Sequence, residues 1–120
     1  MTFGDAFKEF RIRSGKTLRR FCEENGLDPG NISRLERGKM PAPESDELLR
    51  RYAMMLGLKE DSSEWHQLLD TAAAERGQLP KDLLSDAELV DKLPVLFRTL
   101  RNMNNNDSDL RKLAEYIRRL

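Results

Sequence analysis

Residues 28–38, with the sequence DPGNISRLERG, carry the start and stop signals of one short helix. Asp28 is a good N-cap, because its carboxylate can accept a hydrogen bond from a backbone N–H of the first turn. Pro29 has its φ preset for the first helical position, and Gly38 can adopt the left-handed conformation that ends a helix. The sequence therefore predicts a helix that begins after Asp28 and stops at Gly38.

This predicted helix has two different faces. At about 100° per residue, Ile32, Leu35 and Glu36 share one face, which can pack on a core. The opposite face and its shoulders consist of Gly30, Asn31, Ser33, Arg34 and Arg37. Two guanidinium groups, an amide and a hydroxyl on a thin helix suit insertion into the major groove of DNA. A solvated charged face is the common alternative, so the surrounding sequence has to decide between the two.

Two more helices are predicted in front of this segment. The first follows Thr2 and has an apolar stripe of phenylalanines spaced four and three residues apart. Thr17 can cap a second, short helix over residues 18–24, and Asn25-Gly26 is a turn signal. Two short helices joined by about four residues, with a glycine in the turn, form the helix-turn-helix pattern.

Helices are also predicted after the segment. Residues 40–43, Met-Pro-Ala-Pro, cannot continue a helix and form a connector. Ser45 caps the next helix, and Ser62 or Ser63 caps a fifth, and a glycine ends each of them. No stretch has the alternating pattern of a strand, so the predicted fold class is all-α with five helices in the first domain.

The composition of residues 78–81 indicates a hinge. The predicted domains are therefore 1–77 and 78–120. In the second, we expect one short helix over residues 82–91 that ends before Pro94, and another helix that opens at Pro94. Asp107 or Ser108 then caps the last helix.

About 40 residues in three short helices are marginal as an independent core. The second domain should therefore pack on the first domain or on a second copy of itself. Self-association is favoured because helix-turn-helix proteins that bind two symmetric half-sites do so as dimers. The residues predicted to form this dimer contact are Leu96, Phe97, Leu100, Leu110, Leu113, Ile117 and Leu120.

The net charge is zero, but the charge is unevenly distributed. Residues 1–39 have a net charge of +3, residues 40–97 of −6 and residues 98–120 of +3. A basic N-terminal region on a protein of zero net charge can bind phosphates without general non-specific attraction to anions. The one cysteine, Cys22, allows no internal disulfide, and no signal peptide or membrane-length apolar run is present. We therefore expect a cytoplasmic protein with no membrane partner.

Residues 3–75 resemble the Xre-type, phage-repressor-like helix-turn-helix family. The resemblance is carried by ISRLERG (32–38), NGL (25–27) and TLRRF (17–21), with Pro43, residues 45–49 and residues 53–57 where the family places its fourth helix. Residues 79–120, with LPVLFRTL at 93–100, resemble more loosely the tails of two-part bacterial regulators. The family implies a DNA-binding domain with a recognition helix over residues 28–37.

The resemblance also implies roles for single residues of that helix. The positions at which relatives read bases are Pro29, Gly30 and Arg34. Because the first two lack a polar side chain, we expect Arg34 to provide most of the direct readout. A bidentate contact to guanine contributes about 1–3 kcal/mol of discrimination. Asn31 and Ser33 are expected to contact base edges or phosphates.

Other residues are expected to bind phosphates or to hold the helix in place. The expected phosphate contacts are Lys16, Thr17, Arg19, Arg37 and Lys39. The first three lie at the start of the second helix, where backbone N–H groups and the helix dipole favour an anion. Arg11 and Glu36 occupy the positions of an internal ion pair in the family. The helical period agrees, because Glu36 falls on the buried face and needs a cation there.

The sequence thus predicts a homodimeric transcriptional repressor that binds double-stranded DNA at an inverted repeat. We expect no cofactor, no metal and no enzymatic activity, because the sequence offers no nucleophile–base pair, phosphate loop or ligand cluster. His66 is expected to pack or to lie on the surface, and Cys22 is expected to be a small buried residue, with a redox switch as the alternative. Two alternatives remain: an antitoxin whose tail neutralises a toxin while its front represses its own operon, and a repressor whose tail a metallopeptidase cleaves.

Overall fold

The computed structural model describes residues 1–102, and within them every regular element is a helix. The helices are α1 (Phe3–Arg13), α2 (Leu18–Asn25), α3 (Pro29–Glu36), α4 (Asp46–Met55), α5 (Ser63–Glu75), α6 (Lys81–Leu84) and α7 (Ala87–Asn102). The predicted all-α class is thus confirmed for this part of the chain.

The chain divides into two units, one spanning Met1–Pro80 and the other beginning at Lys81. Helices α1 to α5 belong to the first unit, and α6 and α7 belong to the second. The predicted last helix lies outside the described residues. So do four of the predicted dimer contacts, Leu110, Leu113, Ile117 and Leu120.

Polar N-caps begin all five helices of the first unit, as the sequence predicted. The caps are Thr2, Thr17, Asp28, Ser45 and Ser62, and each side chain accepts a hydrogen bond from a backbone N–H three residues on. At Thr2 the arrangement is reciprocal, because the Asp5 carboxylate also accepts from the backbone N–H of Thr2. These hydrogen bonds hold the pKa of the Asp5 carboxyl below its usual value.

The core of the first unit is built around the phenylalanines of α1. The ring of Phe7 meets Phe21 of α2 and Tyr52 of α4 edge-on, with centroid distances of 5.6 and 5.3 Å. Edge-to-face pairs at such distances are favourable. The other large buried residues of this core are Phe3, Phe10, Ile32, Leu35, Leu49, Leu56, Trp65 and Leu68. Four helices therefore share one core with α3.

Gly4 allows α1 and α3 to approach each other closely. A Cβ at this position would lie 2.3 Å from the Leu35 carbonyl oxygen and 2.8 Å from the Glu36 carbonyl oxygen. Real Cβ atoms do not come that close to backbone, so only glycine fits. The last turn of α3 thus lies directly against the backbone of α1.

The second unit corrects the sequence prediction. The expected helix over residues 82–91 is interrupted after Leu84, and Asp86 starts a new helix by accepting hydrogen bonds from the N–H groups of Glu88 and Leu89 at 3.1 and 3.2 Å. The expected break before Pro94 is wrong, because α7 continues through this proline to Asn102.

Helix α7 has one apolar stripe on both sides of its interior proline. Leu89, Leu93, Leu96 and Leu100 recur at spacings of four, three and four residues, which is the period of one helix face. An interior proline costs about 3 kcal/mol.

Candidate nucleic-acid interface

Helix α3 is held in place by its inner face. The side chains of Ile32 and Leu35 are 3% and 4% exposed, and α3 packs against both α1 and α2. Burying a large aliphatic side chain stabilises a fold by about 1.5–3 kcal/mol. The helix begins at the Asp28 cap, and Gly38 has a positive φ of 73° just after its end. Both predicted end signals of this helix are therefore confirmed.

A buried ion pair fixes the C-terminal turn of α3. Arg11 donates from Nε to Oε2 of Glu36 at 2.8 Å and from Nη2 to Oε1 at 3.0 Å. The two side chains are only 9% and 5% exposed. Hydrogen bonding to Glu36 raises the pKa of the Arg11 guanidinium above its ordinary value. This is the pair that the sequence predicted.

The same guanidinium also reaches the start of α2. Nη1 of Arg11 donates to the backbone carbonyl oxygen of Lys16 at 2.9 Å. One side chain of α1 therefore ties the end of α3 to the residue just before the Thr17 cap of α2. The predicted base-reading and phosphate-binding elements are thus fixed to each other by one group.

The outer face of α3 presents polar groups to solvent. Asn31, Arg34 and Arg37 are exposed and Ser33 is half-buried. Nη2 of Arg34 donates to Oδ1 of Asn31, and Nε of Arg37 donates to the Ser33 carbonyl oxygen at 3.3 Å. The predicted base-reading side chains therefore lie together on one exposed surface.

Arg34 extends along the helix toward its N-terminal end, as long helical side chains do. A Cβ built at Gly30 would lie 3.7 Å from Nη1 and 3.9 Å from Nη2 of Arg34. The guanidinium therefore covers the front turn of α3, where Pro29 and Gly30 have no polar side chain of their own. The structure brings these three residues together at the front of the helix.

The outer surface of α3 has an excess of positive charge. Within residues 1–102, Arg34, Arg37 and Lys39 form no ion pair with a carboxylate. Residues 28–39 contain two acidic side chains, and both already accept hydrogen bonds from other groups. Glu36 accepts from Arg11, and Asp28 accepts from the backbone N–H of Asn31. Three cations therefore remain available here for an outside anion.

The start of α2 is different, because its cations have partners in the free protein. Lys16 Nζ lies 2.6 Å from Oε2 of Glu24, and Arg20 Nε lies 2.9 Å from Oε1 of the same carboxylate. These contacts lower the pKa of Glu24. Arg19 lies 3.8 Å from Glu23 in an exposed pair. Exposed pairs contribute about 0–1 kcal/mol, so a phosphate could displace these carboxylates at small cost.

Arg76 is a positioning residue that the sequence did not indicate. From the end of α5, its Nη1 and Nη2 donate to the carbonyl oxygens of Glu44 and Pro43 at 2.9 and 2.6 Å. Ala42 beside them is 4% exposed. Arg76 thus fixes the connector that follows α3. Its partners are backbone oxygens more than thirty residues away, so no local pattern could have revealed the contact.

His66 and Cys22 have surroundings that fit packing roles. His66 is half-buried, with Nε2 3.6 Å from the exposed carboxylate of Asp61. Cys22 is buried in the core, and this burial raises the pKa of its thiol. Among the described residues no group of three potential metal ligands occurs. In the same part of the chain, no helix has the length and apolar character needed to span a bilayer.

Comparison of the chain with protein-family models, with curated proteins and with solved structures finds no match. Function is therefore inferred from the residues and their geometry.

Proposed function

We propose that this chain is a sequence-specific DNA-binding transcriptional regulator. In this proposal α1 to α5 form a phage-repressor-like domain, α2 and α3 are its helix-turn-helix, and α3 enters the major groove. The observation that carries the proposal is the outer face of α3, where Arg34, Arg37 and Lys39 have no carboxylate partner among the described residues while the inner face is firmly anchored.

The anchoring supports readout rather than general attraction to DNA. Groove readout requires side chains whose position relative to the duplex is fixed. Ile32, Leu35 and the Arg11–Glu36 pair hold α3 from within, so its outer face keeps one orientation.

The proposed roles of single residues follow from their positions. Arg34, Asn31 and Ser33, with the front turn at Pro29 and Gly30, face the bases. Arg37 and Lys39 lie at the other end of the helix and bind phosphates, because their charges are available and exposed. Lys16, Thr17 and Arg19 contact the phosphate backbone from the start of α2. Each phosphate contact contributes about one unit to the salt dependence of binding.

We further propose that the regulator acts as a homodimer through α7. Leu96, Phe97 and Leu100 are 44%, 42% and 41% exposed, which is unusual for three large apolar residues in one short segment. A two-fold dimer places two recognition helices about 34 Å apart, in successive major grooves of an inverted repeat. Occupancy of such a site blocks a promoter, so repression requires no chemical step.

The test is selection of DNA from a random library by the full-length protein, followed by salt titration of the selected site. We expect enrichment of an inverted repeat and a strong fall in affinity with salt. Arg34→Ala should remove the sequence preference but keep the salt-dependent binding to any duplex. Arg50→Ala, which changes an exposed arginine on α4, is the matched control. If the library yields no enriched sequence, the proposal is wrong.

A further inference from the structure

We propose that Asn31 is a positioning residue for Arg34, and that the two side chains together select a guanine in each half-site of the operator. This inference rests on the proposed function, because it concerns the same face of α3. It assigns to Asn31 a task different from independent base reading. It also names the base that the front of the helix should select.

Asn31 holds the guanidinium of Arg34 over the first turn of α3. Oδ1 of Asn31 accepts a hydrogen bond from Nη2, and the guanidinium lies over Gly30, where even an added Cβ would be at the ordinary contact distance of 3.7 Å from Nη1. Arg34 has no carboxylate partner within residues 1–102 that could draw it elsewhere. The side chain is therefore held near the helix end whose residues contact base edges in docked helix-turn-helix units.

The number of remaining donors fits guanine. A guanidinium has five N–H groups, and Asn31 uses one of those on Nη2. Four N–H groups stay free, one on Nε, two on Nη1 and one on Nη2, and a parallel pair of these donors matches O6 and N7 of guanine. Adenine offers only one acceptor on that edge, beside the N6 donor, so it would leave one guanidinium donor without a partner.

The geometry favours positioning over an adenine contact by Asn31 itself. An asparagine that reads adenine directs both Oδ1 and Nδ2 at one base edge. Here Oδ1 faces Arg34, which leaves the Nδ2 donors to face the DNA. Asn31 also lies at the third position of α3, where its backbone N–H is bound by the Asp28 cap at 3.2 Å. The backbone of Asn31, whose side chain positions Arg34, is thus itself fixed by the Asp28 cap.

The experiment uses the full-length protein and the operator selected from a library. Each guanine of a half-site is replaced in turn by 7-deazaguanine, which lacks the N7 acceptor. We expect one position at which the wild-type protein loses affinity by about 5- to 150-fold. Arg34→Ala should show no loss at that position. Asn31→Ala should show a clearly reduced loss, since the guanidinium is no longer held.

Two variants separate positioning from general damage. Asn31→Asp keeps the acceptor oxygen, so it should keep the full 7-deazaguanine effect even though its charge weakens binding to every duplex. Arg50→Ala changes an exposed arginine on α4, outside the proposed interface, and should also keep the effect. Thermal melting of each variant checks that the fold is intact, as expected for surface changes.

The outcomes distinguish the inference from the function on which it rests. An unchanged 7-deazaguanine effect in Asn31→Ala would overturn the positioning role. So would a loss of that effect in Asn31→Asp, or the loss of an adenine preference in Asn31→Ala. If a specific operator exists but no guanine in it is sensitive, the inference fails and the proposed function stands. If no sequence is enriched at all, both fail.

Discussion

Replacing Arg11 by alanine should severely destabilise the first unit, because the change strands a buried charge. Glu36 is 5% exposed at its side chain, and both of its oxygens accept hydrogen bonds from Arg11. Removing one partner of a buried ion pair costs about 3–5 kcal/mol, most of it from the unpaired charge left behind. The Lys16 carbonyl oxygen also loses the Arg11 donor.

The expected change in melting temperature is large for a unit of this size. For domains of 60–100 residues, 1 kcal/mol corresponds to about 4–8 °C. Arg11→Ala should therefore lower the melting temperature of the Met1–Pro80 unit by at least about 12 °C. Trp65 is the one tryptophan of the chain and is buried in the core of this unit. Its fluorescence during urea or thermal unfolding reports on this unit specifically.

Arg13→Ala is the matched control, because it changes an arginine of the same helix. Arg13 pairs with Glu9 at 2.5 Å, but the arginine side chain is 60% exposed. Its loss should cost less than about 1 kcal/mol. The double variant Arg11→Met with Glu36→Leu removes both charges and should recover most of the lost stability. If Arg11→Ala is no more harmful than Arg13→Ala, the idea that this pair anchors α3 is refuted.

Three further predictions concern packing, DNA contact and assembly. Gly4→Ala should destabilise the first unit by about 1–3 kcal/mol in urea unfolding, since its methyl group meets the α3 backbone at 2.3 Å. Gly30→Ala meets only ordinary contacts and should be neutral or stabilising by up to about 1 kcal/mol; equal effects at the two glycines would contradict the close approach. Arg37→Ala and Lys39→Ala should each lower the salt slope of operator binding by about one, uniformly across sequences; an unchanged slope would remove that residue from the phosphate contacts. Leu96→Asn should shift full-length protein toward monomer in sedimentation, whereas Val95→Asn, which changes an exposed valine off the α7 stripe, should not; a dimer that survives Leu96→Asn would exclude this face from the interface.

The sequence predicted what depends on near neighbours. The caps at Thr2, Thr17 and Asp28 act within three residues, and the buried face of α3 follows from one helical period. Local rules were enough for these elements. They also indicated that Glu36 needs a cation, because an acidic residue on an apolar face rarely stays unpaired.

Contacts between distant segments were harder to predict. A glycine inside an otherwise good helix, such as Gly4, is a signal that another backbone comes close. The neighbouring sequence does not reveal that this backbone is α3, whose Leu35 carbonyl oxygen would lie 2.3 Å from a Cβ at Gly4. The hydrogen bonds from Arg76 to the connector at residues 43 and 44 have no comparable signal in the sequence. The predicted break at Pro94 is wrong because the local cost of an interior proline does not by itself end a helix, and α7 continues through it. Asp86 is of a residue type favoured at N-caps, so the sequence does contain a local signal for the start of α7.

The residues that hold α3 and the residues that face outward do not overlap. Stability resides in Ile32, Leu35 and Glu36, whereas Gly30, Asn31 and Arg34 contribute little to the core. The outer positions could therefore be randomised together in a combinatorial library with little risk of unfolding the scaffold. If α3 binds DNA as proposed, variants from such a library would differ mainly in the DNA they prefer. The architecture thus offers a compact starting point for reprogramming target choice.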